Sequence, residues 1–514
     1  MRIPGRVLGI GLLALLGACT PDPSRSATVL KIANPAEPAS LDPALVAGVP
    51  EVRVVSALFE GLTSLSGDSV VPCHARGWDI SPDGLIWTFH LALHRWSDGT
   101  QVTASEYVWA WNRATVPALG AAYADLFDCM LGAKERRKDG ITPLGARAPD
   151  DSTLVVTLAH PVPFLPLLLA QPVTFPVPRR AVERFGSRWT RPEHILTNGP
   201  YRLAWWKPWR SILAVARQDR GEKAGIDSLL FLPVEDALTA WQMSRAGQVD
   251  WLFQLPLSRL KPAQARPGFH STPQFGTYFF RINVTRKPFD DVRVRQALQA
   301  AMPREDLVRY VTSAGELPAR RLVPAIGTYP RSDSVRTDFV TARRLLREAG
   351  FPGGQGFPRF EILFNSLDLH RRIAEVVART WHDSLGLDVG LLNYEWKSYL
   401  EAMKGLDYAV ARGAWVGDYL DPQTFLDVFR STSGNNRTGW KNAGFDSLLD
   451  LSVKSQGQER LEILKQAEGR LLEDAALIPV YFYRNLEWRN PRIEGIVENP
   501  MGLYDWTRAR WRQP

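Results

Sequence analysis

The sequence predicts an α/β protein of two or three domains built on a mostly parallel sheet. Three observations carry that expectation. At 514 residues the chain is longer than a single hydrophobic core organises. Its C-terminal half alternates strand, helix and strand: residues 360–365 are strand-like, Ile373, Val376, Val377 and Trp381 follow at helical spacing, and residues 387–392 are strand-like again. The composition, 45% hydrophobic and 23% charged, is that of an ordinary globular protein.

The chain opens with an address label. Arg2 and Arg6 make a basic start, residues 7–16 form an apolar run too short to span a bilayer, and Leu16-Gly17-Ala18-Cys19 follows. This resembles a bacterial lipoprotein signal. Residues 1–18 are then expected to be removed as a signal peptide, Cys19 to carry lipid, and residues 19–27, polar with two prolines, to form a tether. Thr20 after the cysteine resembles the outer-membrane sorting pattern of a Gram-negative cell. Losing two arginines lowers the formal charge from +8 to +6. That surplus is modest, and no Lys/Arg run of the nucleic-acid-binding kind occurs. Cys73 and Cys129 remain, and a disulfide or two free thiols are both open.

The remaining elements come in chain order. Residues 28–34 are a strand. Pro38 in Glu37-Pro38-Ala39 has no N–H for a ladder, so this stretch is expected to be an edge strand or its end, where a peptide can be added. Residues 86–91 alternate as a strand. Gly99 serves a turn, and Thr103 with Glu106 starts a helix through a capping box. Residues 153–158 and 226–233 are strands, and 181–185 and 234–246 are helices. After a strand at 276–283, Asp290 or Asp291 caps a helix whose inner face holds Val294, Ala297, Leu298 and Ala301. Ala342, Leu345, Leu346 and Ala349 repeat the spacing up to Gly350. A helix at 459–474 and a strand at 477–483 close the series.

One stretch has the makings of a binding site. Tyr408 to Ala411 is an apolar run, which opens into small residues, Trp415 and Asp418. A strand that ends in accessible backbone, a Trp face and a lone carboxylate suits an extended peptide. Its backbone adds a strand and its carboxylate holds an α-ammonium group. A buried strand ending in a polar turn is the other reading of the same residues. Motifs for nucleophilic, zinc-hydrolase, thiol-redox or phosphate-loop chemistry are missing. His90 and His94 fall on a strand and its turn, which is poor metal-ligand spacing. No catalytic residue, cofactor or metal is expected.

Several stretches together resemble the extracytoplasmic solute-binding proteins of peptide ABC transporters, solute-binding protein family 5. They include Glu37-Pro38-Ala39-Ser40-Leu41-Asp42-Pro43, Leu58-Phe59-Glu60-Gly61-Leu62, Trp96-Ser97-Asp98-Gly99-Thr100, Thr197-Asn198-Gly199, Pro288 to Arg295, Asn393-Tyr394-Glu395-Trp396 and Arg412 to Tyr419. The resemblance implies a two-lobed, type II periplasmic-binding-protein-like α/β fold with an extra third domain. Lobe I would comprise 28–50, 180–275 and 491–514, the accessory domain 51–179, and lobe II 276–490. Asp418 would bind the peptide α-ammonium. Ala414, Trp415 and Val416 on one side, and Glu37, Pro38 and Ala39 on the other, would flank the peptide backbone. Arg412, Trp396, Tyr123 and His370 would line the cleft. The implied protein is a monomeric, lipid-anchored receptor of the periplasm or cell envelope that delivers oligopeptides to ABC permease subunits and binds no nucleic acid. The same fold with another cargo (murein peptide, dipeptide, nickel chelate or haem), a cell-envelope hydrolase and a signalling receptor are the rival readings. Met403, Gln171, Phe279 and Arg281 depart from what oligopeptide-binding members carry, which bears on peptide length and charge.

Overall fold

The computed structural model describes residues 28–220, 224–330 and 337–512. The signal peptide, Cys19 and the tether lie outside the described residues. Eleven strands form one large sheet: β1 (Val29–Asn34), β2 (Tyr201–Lys207), β3 (Ser211–Ala216), β4 (Ser228–Pro233), β5 (Trp251–Leu252), β6 (Phe269–Ile282), β7 (Leu317–Pro318), β8 (Phe360–Asn365), β9 (Val389–Tyr394), β10 (Val410–Val416) and β11 (Leu477–Arg489). Their order is β9-β8-β10-β6-β11-β5-β1-β4-β3-β2, with β7 against β11. A separate four-stranded sheet runs Ala75–Ile80, Ile86–Leu91, Thr153–Thr157, Ala146–Asp150.

The sheet is mixed, which corrects the expectation of a mostly parallel one. Parallel pairing is confined to β1 with β4 and β5, and to β8 with β9 and β10. A parallel neighbour needs a long crossover, which for β1 beside β4 is the whole stretch between Asn34 and Ser228 and for β8 beside β9 a single helix. The helix Asp368–Leu385 joins β8 to β9 in this way, burying Ile373, Val377, Trp381 and Leu385. It stops at Gly386, whose φ of +72° suits glycine and whose N–H donates to the His382 carbonyl. Elsewhere the chain makes hairpins or returns from far away. β2 and β3 are a hairpin, and β6 pairs antiparallel with β10 and β11.

β1 is an interior strand, hydrogen-bonded on both sides. Leu30 and Ile32 are fully buried on one face and Ala33 is buried on the other, and a strand covered on both faces belongs in the sheet's centre. The segment Glu37-Pro38-Ala39 leaves its end as irregular chain rather than as an edge strand, with Pro38 buried.

β6 and β11 are 14 and 13 residues long, about twice the usual strand length. At one end Phe269 to Pro273 pairs with Arg484 to Trp488, beside β5. At the other, Thr277 to Arg281 pairs with Leu477 to Phe482, beside β10. The register shifts between Pro273 and Thr277. This pair therefore joins the two halves of the molecule. Leu30, Ile32, Tyr201 and Phe231 of one half share a buried cluster with Trp87, Phe89 and Trp111 around the small sheet. Phe280, Ile282, Leu298, Trp381 and Ile478 centre a second cluster in the other half. Cys73 and Cys129 are both free thiols. No helix of the described residues is long and apolar enough to cross a membrane.

Candidate functional site

β10 pairs with β6 along its whole length, from Gly276↔Val416 to Ile282↔Val410. On its other side β8 covers only Val410 and Ala411. The direction of the uncovered groups follows from the ladder. Asn283 N–H donates to Ala409 O at 3.0 Å and Gly417 N–H to Phe275 O at 2.8 Å. Antiparallel ladder bonds recur at every second residue, so Ala411, Gly413 and Trp415 turn their backbone groups toward β6. Arg412, Ala414 and Val416 turn theirs the other way. There the Arg412 carbonyl accepts from Tyr399 OH at 2.5 Å, and no strand of the described residues covers Ala414 and Val416. An open strand edge thus runs to the end of β10.

That edge ends at Asp418. Gly417 lets the chain pass close under Phe275, whose ring would lie 2.5 Å from a Cβ there. The Asp418 N–H donates to Thr424 Oγ1 at 3.1 Å, and that hydroxyl lies 3.5 Å from Asp418 Oδ2. The next residues along the chain are pinned. The Tyr419 ring stacks on Phe164 with centroids 5.1 Å apart. Asp421 takes a bidentate, buried contact from Arg460 at 2.6 and 2.8 Å. Asp418 itself is half-buried and enters no ion pair among the described residues. Burial, and then the charge of Asp125, push its carboxyl up to about 6, while the Thr424 hydroxyl pulls weakly downward.

Asp418 opens into a cavity of about 310 Å³. Val416, Gly417 and Gln274 share that wall with it, and Tyr123, Gln171 and the segment Val46-Ala47-Gly48-Val49 form the facing ones. Tyr123 OH donates to the Ala47 carbonyl at 3.2 Å. Gly48 is extended, at φ −123° and ψ 156°, and the helix Val49–Leu58 starts behind it. The cavity lies between the two halves joined by β6 and β11, because its walls come from both.

The structure places the sequence-derived residues in three groups. Asp418, Val416 and Tyr123 line this cavity, with Ala414 next along the same open edge. Arg412, His370 and Trp396 meet farther back along β10, among tyrosines. Arg412 donates to Tyr483 OH at 3.2 Å and Asn365 Oδ1 at 3.4 Å, and lies 5.2 Å from the Tyr278 ring. The His370 ring is 5.6 Å from that of Tyr278, and Trp396 stacks on Tyr399 at 5.6 Å. Burial, then the Arg412 charge, hold His370 down to about 3, so its ring is neutral at physiological pH. Trp415 does not line the cavity, and its backbone groups are taken up by β6. Its side chain points to the opposite face of β10, where Nε1 lies 3.4 Å from Thr424 Oγ1.

Glu37, Pro38 and Ala39 form the third group and do not line the cavity. Glu37 Oε1 instead accepts from Trp206 Nε1 of β2 at 2.7 Å. The segment that faces Asp418 is Ala47-Gly48-Val49, which sequence reasoning passed over. The available signal was small residues held extended just before a helix that opens with Val49-Pro50. Gln171 does face the cavity, whereas Phe279, Arg281 and Met403 are buried elsewhere.

The model for bacterial extracellular solute-binding proteins, family 5, matches residues 69–437. The chain is 35% identical over 493 residues to the periplasmic oligopeptide-binding protein OppA of Salmonella typhimurium, covering 90% of this chain and 88% of that one. It superposes on the unliganded open form of the periplasmic murein tripeptide-binding protein MppA with a TM-score of 0.85 at 31% identity, covering 95% and 98%. On the Haemophilus influenzae OppA complex with RPPGFSPFR the TM-score is 0.73 at 29% identity, covering 95% and 100%. With the matched model spanning most of the chain and the likeness running nearly end to end, this protein belongs to the bacterial extracellular solute-binding proteins of family 5.

Proposed function

We propose that the chain is an extracytoplasmic receptor that encloses an oligopeptide between its two lobes and delivers it to an ABC permease. Members of this family bind solutes and are not enzymes, and the relatives above are periplasmic binding proteins for peptides. The observation that carries the reading is an open β10 edge ending in a cavity at a carboxylate that has no ion-pair partner among the described residues. The peptide adds a strand beside Ala414 and Val416, with the Ala47–Gly48–Val49 segment on its other flank. Each backbone hydrogen bond contributes about 1 kcal/mol and is indifferent to side chains. Asp418 takes the α-ammonium and sets the register. Arg412, six residues away, lies at most about 20 Å along an extended strand, within reach of a ligand of a few residues.

Lobe I is assigned to 28–50, 180–275 and 491–514, the accessory domain to 51–179 and lobe II to 276–490, with β6 and β11 as the hinge. Cys19 holds the lipid, in the outer membrane if the cell is Gram-negative, and the receptor works as a monomer. Native mass spectrometry of the purified protein tests the cargo. Co-purifying peptides with free amino termini support the reading, and a non-peptide solute carried in the cavity refutes it.

A further inference from the structure

A second cavity, of about 600 Å³, lies between the helix Ala237–Arg245 and residues 259–267, and shares no residue with the cavity at Asp418. Three arginines line it, Arg245, Arg259 and Arg266. Arg266 is built in. Its Nη1 donates to Ser244 Oγ at 2.9 Å and its Nη2 to the Ser244 carbonyl at 3.0 Å, and the group lies 3.7 Å from the Trp488 ring centroid. Burial, and then the charge of Arg245, lower its pKa, so like charges sit close enough to repel. Arg245 and Arg259 are exposed, and neither guanidinium donates a hydrogen bond or joins an ion pair among the described residues.

Among the described residues no carboxylate side chain lines the cavity. Neither 237–249 nor 251–289 contains an Asp or Glu. Asp250, between them, is occupied by Lys31 N–H at 3.1 Å and Asn490 Nδ2 at 3.2 Å. Isolated surface arginines are ordinarily just solvated. Three converging on one concavity without a carboxylate instead concentrate positive potential there. Guanidinium forks match the tetrahedral oxygens of phosphate, which they grip in bidentate pairs. Trp241 and Pro262 give the cavity apolar walls beside those charges.

We propose that this cavity is an anion site that holds a phosphate-type group, distinct from the solute cleft. Such a group comes either from a soluble phosphate compound or from a phospholipid headgroup near the membrane. Calorimetry on the purified protein at constant ionic strength, with pyrophosphate and with glycerophosphoglycerol as probes, tests it. The wild type is expected to bind at least one probe, and the double variant Arg245→Gln/Arg259→Gln to bind it at least tenfold more weakly. Tighter pyrophosphate binding assigns a soluble source, and tighter glycerophosphoglycerol binding a headgroup. Peptide affinity, measured on the same samples, stays unchanged and shows that the variant is folded. No binding of either probe, or equal binding by wild type and variant, overturns the proposal.

Discussion

Replacing Asp418 by Asn keeps the side chain's size and removes its charge. Among the described residues no cation balances this half-buried carboxylate, and burial, then the charge of Asp125, push its pKa up to about 6. An incoming ammonium group relieves that strain, whereas an amide cannot. A charge-assisted hydrogen bond contributes about 1.5–3 kcal/mol, and truncating one partner of a buried pair costs about 2–5 kcal/mol. A loss of about 2–3 kcal/mol, or roughly 30- to 150-fold in Kd, is expected for a free-amine tripeptide. The N-acetylated peptide lacks the ammonium, so it binds wild type and variant about equally. The pH dependence follows from the same group. The ligand needs the ionised form, so affinity is nearly full at about pH 7 and falls as the pH drops through about 6. At pH 5 about one carboxyl in ten is ionised, and wild-type affinity drops roughly tenfold, while the variant stays flat. Stability moves oppositely. An acid whose folded pKa is raised loses stability as pH climbs from its unfolded value through the folded one. Asp418→Asn therefore raises the Tm of the ligand-free protein at pH 7. Titration calorimetry at pH 7 and pH 5 with both peptides reads the affinities, and a thermal melt at pH 7 reads the Tm. Equal loss of free and acetylated peptide, or a wild-type affinity flat between those pH values, refutes the reasoning.

Three further outcomes are expected. Ala414→Pro deletes an N–H that faces the open edge and takes no part in the β6 ladder. Peptide affinity should fall at least tenfold, about 1.4 kcal/mol, with the circular dichroism spectrum unchanged. Arg460→Met leaves Asp421 buried without its partner and should lower unfolding free energy by about 3–5 kcal/mol in urea titrations. Burial pushes the Cys129 thiol up to about 12 and raises Cys73 well above its usual value. In protein lacking Cys19, thiol reagents should therefore label the buried Cys129 only after denaturation and the half-buried Cys73 slowly before it.

Local pattern made much of the fold legible. Apolar spacing and the glycine at 386 located the helix Asp368–Leu385, and Asp291 caps the helix Val292–Ala300, its Oδ1 accepting from Arg293 N–H at 2.8 Å. The capping box at 103–106 is realised: the Thr103 side chain accepts from the Glu106 backbone N–H, and Glu106 Oε2 accepts from Thr103 N–H at 3.3 Å. The strand at 276–283 begins seven residues earlier, at Phe269, and the one at 477–483 runs on to Arg489. Those extensions contain Pro273, Arg484 and Asn485, poor strand formers that are held only because each strand is the other's partner. The β2–β3 hairpin escaped notice because Lys207 to Ser211 lacks the Asn-Gly or Gly-Gly signature of a tight turn.

By itself the sequence determined which segments become helix or strand, that the chain carries family 5 motifs, and that a lone acidic residue follows a strand near 418. Those features are set by neighbours within a few residues. Tertiary structure alone decided that β1 is interior, that the sheet is mixed, and that Ala47, Gly48 and Val49, rather than Glu37, Pro38 and Ala39, face that acid. Such pairings join residues hundreds of positions apart. They are selected by which surfaces bury together, and nothing in the local order of the chain records that choice.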